Sequence, residues 1–272
     1  MALSVTEQHP MLISGLNCAV PDPLFFWHHA GNILNRKSSM RNIQFDRIVD
    51  LSHLITPDIP DWPNDPPVTF TTQTSLQADG YYLRSFSLGE HSATHMNAPN
   101  SFFAGAMGID GYTPEALVRP AVVIDVQTRV HDNTDYVISL EDIERWEVVN
   151  GPVQSGSVVL FHTGWQSRWS EPARFINVDD RGLHFPGVGA ETSAFLLEQR
   201  GIAGLGIDTH GVDPGQEASF ASNRLVLARQ GIILECLASL DRLPPTGITL
   251  VIGVLRLQAG SGSPASVLAF VG

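Results

Sequence analysis

Two histidines stand four residues apart in the segment 89–102, which follows a half-alternating apolar stretch at 81–88. If the chain turns between them, the imidazoles of His91 and His95 converge on one point. Imidazole nitrogens placed in this way are natural ligands for zinc, manganese or iron. Two loop histidines bonded to backbone carbonyls would show the same spacing, so the spacing alone leaves both interpretations open.

The residues around the two histidines form a recognisable pattern. The segment Gly-Glu-His-Ser-Ala-Thr-His-Met-Asn-Ala-Pro-Asn-Ser-Phe resembles the motif His-x-Gly-Thr-His-x-Asp-x-Pro-x-His of the cyclase / kynurenine formamidase family of metal-dependent hydrolases. His91, Thr94, His95 and Pro99 match that motif. The resemblance extends over nearly everything after residue 46, and the further matching segments are 50–53, 62–67, 162–165, 206–210 and 243–247.

The resemblance implies a metal site. In the family, the motif's histidines and aspartate, with a histidine and a glutamate from the C-terminal half, hold one or two divalent metals that activate a water. Glu235 stands where the family's glutamate would stand. Carried over to this sequence, the resemblance implies that His91, His95 and Glu235 are both metal ligands and catalytic residues.

Three positions depart from the family pattern. Asn97 stands for the motif's aspartate, Ser101 for its last histidine and Asn223 for the later histidine. An amide oxygen is neutral and a weaker donor than carboxylate or imidazole, so each asparagine lowers the expected metal affinity. We therefore expect at most one divalent metal, Zn²⁺ or Mn²⁺, with a metal-free site as the alternative. The three substituted residues are expected to orient the substrate.

Further side chains are candidates for substrate contacts. Trp62, Phe102 and Trp165 could form an aromatic wall, with ordinary core packing as the alternative. Asp208 either lines the site or accepts hydrogen bonds from the amides of a turn.

The sequence does not support two common functional motifs, a dinucleotide-binding loop and a serine-hydrolase elbow. The stretch Gly-x-Gly-x-Asp-x-His at 204–210 is a strand that runs into a Gly/Pro turn, without a helix start to hold a phosphate, which excludes dinucleotide binding. A Gly-x-Ser-x-Gly elbow is absent from the sequence, and Ser261 and Ser263 lie in a run that is expected to be flexible. A serine hydrolase is therefore not supported.

The elements that must position these residues are strands and helices in mixed order. Strands are predicted at 68–72, 81–88, 121–126, 157–161, 232–234 and 248–254. Helices are predicted at 140–149, opened by a capping box of Ser139 and Asp142, at 191–200 before Gly201, and at 220–230. This order predicts an α/β architecture. The resemblance implies the swivelling β/β/α fold, a single domain with a mixed sheet flanked by helices.

Composition limits the partners and the compartment. With 272 residues, 43% hydrophobic, we expect one domain at 46–272 after an N-terminal arm at 1–45 that carries the aromatic cluster Phe25, Phe26 and Trp27. A formal net charge of -12 argues against nucleic acid as a partner. The distant pair Cys18 and Cys236 makes a reducing cytoplasm the default. Neither a signal peptide nor a membrane span is expected.

Three functions are compatible with these features. The leading prediction is a hydrolase in which one metal-bound water opens a small cyclic or aryl amide or ester, such as a formamide, lactam or lactone. The first alternative is a metal-free cyclase or isomerase in which a histidine and Glu235 move protons and the asparagines hydrogen-bond an oxyanion. The second is an inactive homologue that binds a ligand in the same pocket. The resemblance also implies a homo-oligomer, a dimer or a tetramer.

Overall fold

The computed structural model describes residues 42–272, and Ile43–Gly272 form one compact unit. Most of the predicted arm, with its aromatic cluster and Cys18, lies outside the described residues. The strands are β1 (Arg47–Asp50), β2 (Thr69–Thr74), β3 (Leu83–Ser87), β4 (His95–Asn97), β5 (Val118–Asp125), β6 (Val137–Ile138), β7 (Val158–His162), β8 (Val178–Asp179), β9 (Gly182–Leu183), β10 (Gly187–Val188), β11 (Gly204–Ile207), β12 (Ile232–Glu235), β13 (Ile248–Val254) and β14 (Gly262–Val271). The helices are α1 (Leu76–Asp79), α2 (Gln127–Val130), α3 (Leu140–Asn150), α4 (Pro172–Ile176), α5 (Ala190–Phe195) and α6 (Ala221–Leu227).

The main sheet closes on itself. Its eight strands follow the order β1-β14-β13-β5-β7-β11-β12-β4, and β4 also pairs with β14, so the seven strands after β1 form a ring. Strands β5, β7, β11 and β12 are parallel, whereas β13, β14 and β4 pair antiparallel. The predicted mixed sheet flanked by helices is confirmed, and its closure into a barrel adds a feature that the sequence did not predict.

Alternate side chains of the central strands enter two different cores. All five residues of β7 are buried, and Val158 and Leu160 pack in one core while Val159 and Phe161 pack in the other. A strand covered on both faces needs apolar side chains at every position. This arrangement explains why the central strands read as continuous apolar runs.

The helices largely follow their sequence signals. Helix α3 begins with the predicted capping box of Ser139 and Asp142. Helix α5 continues as a short π-helical turn and ends at Gly201, whose φ of 61° is left-handed. Helix α6 is shorter than predicted because Phe220 before it and Gln230 after it have left-handed φ angles of 54° and 56°. Within the described residues, no helix has the length and apolarity needed to cross a membrane.

Two strands that position the site lie where the sequence predicted irregular chain. Strand β4 has only three residues, and two of them are polar. Strand β14 begins at Gly262 and leaves Ser263 fully buried, so the expected flexible run at this point is wrong. Both strands depend on a distant partner, with Gly262 opposite Asn97. Strand propensity is set by such tertiary context, which local composition does not show.

The parallel pair β11 and β12 approaches so closely that one glycine is required. A Cβ atom at Gly204 would lie 2.1 Å from the carbonyl oxygen of Ile232, whereas a Cβ at Gly253 in β13 would meet only ordinary contacts at 3.4 Å or more. We predict that Gly204→Ala lowers the free energy of unfolding by about 1–3 kcal/mol through overpacking. Gly253→Ala should change it by less than about 0.5 kcal/mol. Urea unfolding of both variants checks this, and equal stability would contradict it.

Candidate active site

The candidate site is built on the short strand β4. Side chains alternate along a strand, so His95 and Asn97 point to one side of the sheet while Met96 between them enters a core. Strand β12 runs antiparallel to β4, with Glu235 directly opposite His95. This register brings one imidazole, one amide and one carboxylate to the same place.

The Glu235 carboxylate is buried and accepts four hydrogen bonds. Its Oε1 accepts from the backbone nitrogen of Val212 at 2.9 Å and from Asn223 Nδ2 at 3.1 Å. Its Oε2 accepts from His95 Nε2 at 3.0 Å and from Asn97 Nδ2 at 3.1 Å. Burial by itself raises the pKa of Glu235, but the hydrogen bond and charge of His95, followed by the amide donors, outweigh burial and hold that pKa well below its usual range. Glu235 is therefore ionised.

Both ring nitrogens of His95 donate. Nδ1 lies 2.8 Å from the carbonyl oxygen of Ala93, and a carbonyl oxygen can only accept. Nε2 faces the ionised carboxylate of Glu235, which accepts as well. His95 is thus an imidazolium, and with Glu235 it forms an ion pair whose side chains are only 2% and 7% exposed.

Two amides complete the network around Glu235. Asn97 Nδ2 also donates to Asn223 Oδ1 at 3.0 Å, and Asn223 Nδ2 donates to Asp213 Oδ2 at 3.0 Å. Asp213 in turn accepts from the backbone nitrogens of Ser222 and Asn223 in the first turn of α6. Asp213 was not predicted as part of the site, because an aspartate in a Gly/Pro turn has no distinctive spacing to it.

His91 extends the network away from Glu235. Its Nδ1 lies 2.9 Å from Asn97 Oδ1 and its Nε2 lies 3.0 Å from Ser261 Oγ, which donates to Glu90 Oε2 at 2.6 Å. Burial, and then the charge of His95, lower the pKa of His91. Ser261 and Glu90 were not predicted as parts of the site, since Ser261 lies 170 residues from His91. Ser261 is not part of the cavity wall, which gives it no position as a nucleophile.

The predicted metal ligands come together, but they are not arranged around an ion. Within the described residues, no group of three or more His, Cys, Asp or Glu side chains is placed to hold a metal. His95 Nε2 and Glu235 Oε2 bond each other, so neither directs a free lone pair at a common point. The rings of His91 and His95 meet edge to face with their centroids 5.2 Å apart. As they stand, these residues do not fit a bound metal, and no catalytic step is assigned to one.

A cavity of about 600 Å³ opens over this network. Its walls include four aromatic rings, those of Trp62, Phe102, Phe185 and Phe220. The Trp62 ring lies 5.1 Å from that of His210, a buried residue whose pKa falls to about 4 because of burial and then the charge of His95. The sequence-predicted residues that line the cavity are Trp62, His91, His95, Asn97, Ser101, Phe102, Asn223 and Glu235.

Ser101 and Trp165 were predicted as substrate contacts, but both donate their hydrogen bonds to backbone carbonyl oxygens. Ser101 lines the cavity, but its hydroxyl donates to the carbonyl oxygen of Ser261. Trp165 is buried, and its indole nitrogen donates to the carbonyl oxygen of Phe175 at 2.8 Å. Trp165 therefore packs in the core, as the alternative interpretation held.

The predicted substrate contact by Asp208 is wrong. Asp208 is fully buried and does not line the cavity. Its Oδ1 accepts from the backbone nitrogen and the hydroxyl of Thr163 at 3.0 and 2.6 Å, and its Oδ2 accepts from the backbone nitrogen of Gln166 at 3.3 Å. The carboxylate satisfies the amides of the turn after β7, which have no strand partner there.

We predict that Asp208→Ala destabilises the fold without changing substrate binding. Each backbone amide left buried and unsatisfied costs about 1–3 kcal/mol. Chemical unfolding should show this loss, while KM of the folded fraction stays unchanged. Asp132→Ala, at a side chain that is 89% exposed, is the matched control and should leave both quantities unchanged. A raised KM with normal stability would restore Asp208 to the substrate site.

The chain is similar to named enzymes over most of its length. The Cyclase family, described as "Putative cyclase", matches residues 49–214. Isatin hydrolase of Roseibium aggregatum is 32% identical over 218 residues, which are 76% of this chain and 82% of that protein. Kynurenine formamidase of Bacillus mycoides is 26% identical over 79% of this chain and 93% of its own. The structure of isatin hydrolase A from Ralstonia solanacearum superposes with a TM-score of 0.79 at 32% identity, over 83% of this chain and 92% of that chain. The chain therefore belongs to the cyclase family.

Proposed function

We propose that the chain hydrolyses an amide or ester bond in a small cyclic or aryl compound. The observation that carries the proposal is the His95–Glu235 ion pair, which lies in the wall of an aromatic cavity. The names of the relatives support the same chemistry, because isatin is a cyclic aryl amide and a formamidase opens a formamide. A homo-oligomer and a cytoplasmic location stay predictions.

The cavity favours a flat and mostly apolar substrate. Its volume of about 600 Å³ lies within the usual range of small-molecule sites, about 300–1,000 Å³. Trp62 and Phe102 line the cavity, where their rings can contact an aryl group. The polar side chains of Asp65, Arg181 and Gln216 also line the cavity, where they can meet the substituents of the ring.

Hydrolysis needs a base for the water and positive charge near the developing oxyanion. We assign the first role to His91, whose pKa is lowered by burial and then by the charge of His95. To accept a proton from water, its Nε2 must first leave the contact with Ser261 Oγ. His95 suits the second role, because its ring, which donates from both nitrogens, pairs with Glu235 in the cavity wall. Glu235 acts through His95 and is a positioning residue.

We predict that His95→Gln lowers kcat/KM by at least about 100-fold on a substrate of this class, since glutamine cannot carry the positive charge. The assay follows the hydrolysis of isatin, aryl formamides and aryl lactones by absorbance. His131→Gln is the matched control, because His131 is 83% exposed and should leave the rate unchanged. Full activity in His95→Gln would refute the assignment of His95. Stabilisation by these compounds without any turnover would instead support a binding protein.

We predict that Trp62→Leu weakens substrate binding more than it slows the chemical step. Loss of one stacking partner costs about 0.5–1.5 kcal/mol, so KM should rise about threefold to tenfold while kcat changes less. Phe86→Leu, at a ring that is 62% exposed on β3 and outside the cavity wall, serves as the aromatic control. An unchanged KM in Trp62→Leu would exclude Trp62 from the substrate site.

A further inference from the structure

We propose that the amide groups of Asn97 and Asn223 take the place of the metal in this site. Each of them donates to a different oxygen of Glu235, both at 3.1 Å. A bound cation would need those same oxygens, because carboxylate is the ligand that carries negative charge to an ion. The inference is independent of the proposed function, since it concerns what satisfies Glu235 rather than what the cavity hydrolyses.

The orientation of each amide is fixed by a partner outside the pair. Asn97 directs its Oδ1 to His91 Nδ1 at 2.9 Å, which leaves its nitrogen for Glu235. Asn223 donates from the same nitrogen to Asp213 at 3.0 Å and to Glu235. Turning over the Asn223 amide would place its oxygen against both carboxylates. The amide hydrogens therefore face the position where a cation would have to bind.

The charges at the site also disfavour a bound cation. Glu235 carries one negative charge and its partner His95 carries one positive charge, so the buried pair is already neutral. Buried charge is tolerated only when it is paired and hydrogen-bonded. A divalent ion would add two positive charges beside an imidazolium and would meet neutral amides at residues 97 and 223, while the nearby Asp213 carboxylate is already bonded to Asn223 and to two backbone nitrogens. It would also have to displace the hydrogen bond between His95 and Glu235.

The same geometry implies that one substitution recovers a metal site. Asn97→Asp keeps the size of the side chain but replaces an N–H donor, 3.1 Å from Glu235 Oε2, by an acceptor. Two carboxylates at that distance repel each other when buried, and a cation between them removes the repulsion. His91 and His95 are already beside residue 97, so the variant offers two imidazoles and two carboxylates.

The test measures metal content and thermal stability rather than turnover, so its outcome is separate from that of the proposed function. Full-length wild type and Asn97→Asp are dialysed against chelator and titrated with MnCl₂ and ZnCl₂. The wild type should bind no stoichiometric metal and show no shift in Tm. The variant should have a lower Tm than the wild type without metal and should regain several degrees with about one ion per chain.

Two controls complete the experiment. Asn133→Asp makes the same change at an exposed turn and should gain no metal-dependent shift. His95→Ala added to Asn97→Asp should abolish the metal response. One tightly bound ion per wild-type chain, lost in His95→Ala, would overturn the inference, as would a folded Asn97→Asp that ignores both metals. If Asn97→Asp folds only with metal present, the inference is supported, and if it folds in neither condition the wild-type titration still decides.

Discussion

The buried carboxylate of Glu235 sets a requirement that the surrounding chain meets. An ionised group without water must be paired and fully hydrogen-bonded, and breaking such a pair by removing one partner costs about 3–5 kcal/mol. The four donors to Glu235 come from strand β4, helix α6 and the loop that follows β11. The positions of these segments are therefore coupled to one another through a single side chain.

Strand β4 couples the site to the closure of the barrel. It is only three residues long, yet it pairs with β12 on one side and with β14 on the other, and so it closes the barrel. Its outer residues carry the site, while Met96 faces the opposite way into a core. Two of the side chains that hold Glu235, those of His95 and Asn97, thus belong to the strand that joins the two ends of the sheet, so the fold and the site depend on the same strand.

The sequence predicted the local parts well and the long-range parts poorly. Helix α3 has its capping box in four residues of sequence, and β13 spans the predicted residues 248–254. The His91 and His95 motif indicated the family and the family indicated Glu235. By contrast, Asp213 and Ser261 join the site through tertiary contacts that leave no pattern in the sequence. The role of Asp208 in satisfying the turn amides likewise became clear only from its hydrogen bonds in the structure.

The two asparagines are best understood together. Asparagine has nearly the shape of aspartate, but its nitrogen donates where a carboxylate oxygen accepts. At residue 97, the asparagine places a donor beside Glu235 Oε2 where the family's aspartate would place an acceptor. With residue 223 also an amide, each oxygen of Glu235 has a side-chain amide donor, and each amide has a partner for its oxygen. Together with His95 and the backbone nitrogen of Val212, the two amides therefore satisfy both oxygens of the carboxylate without an ion.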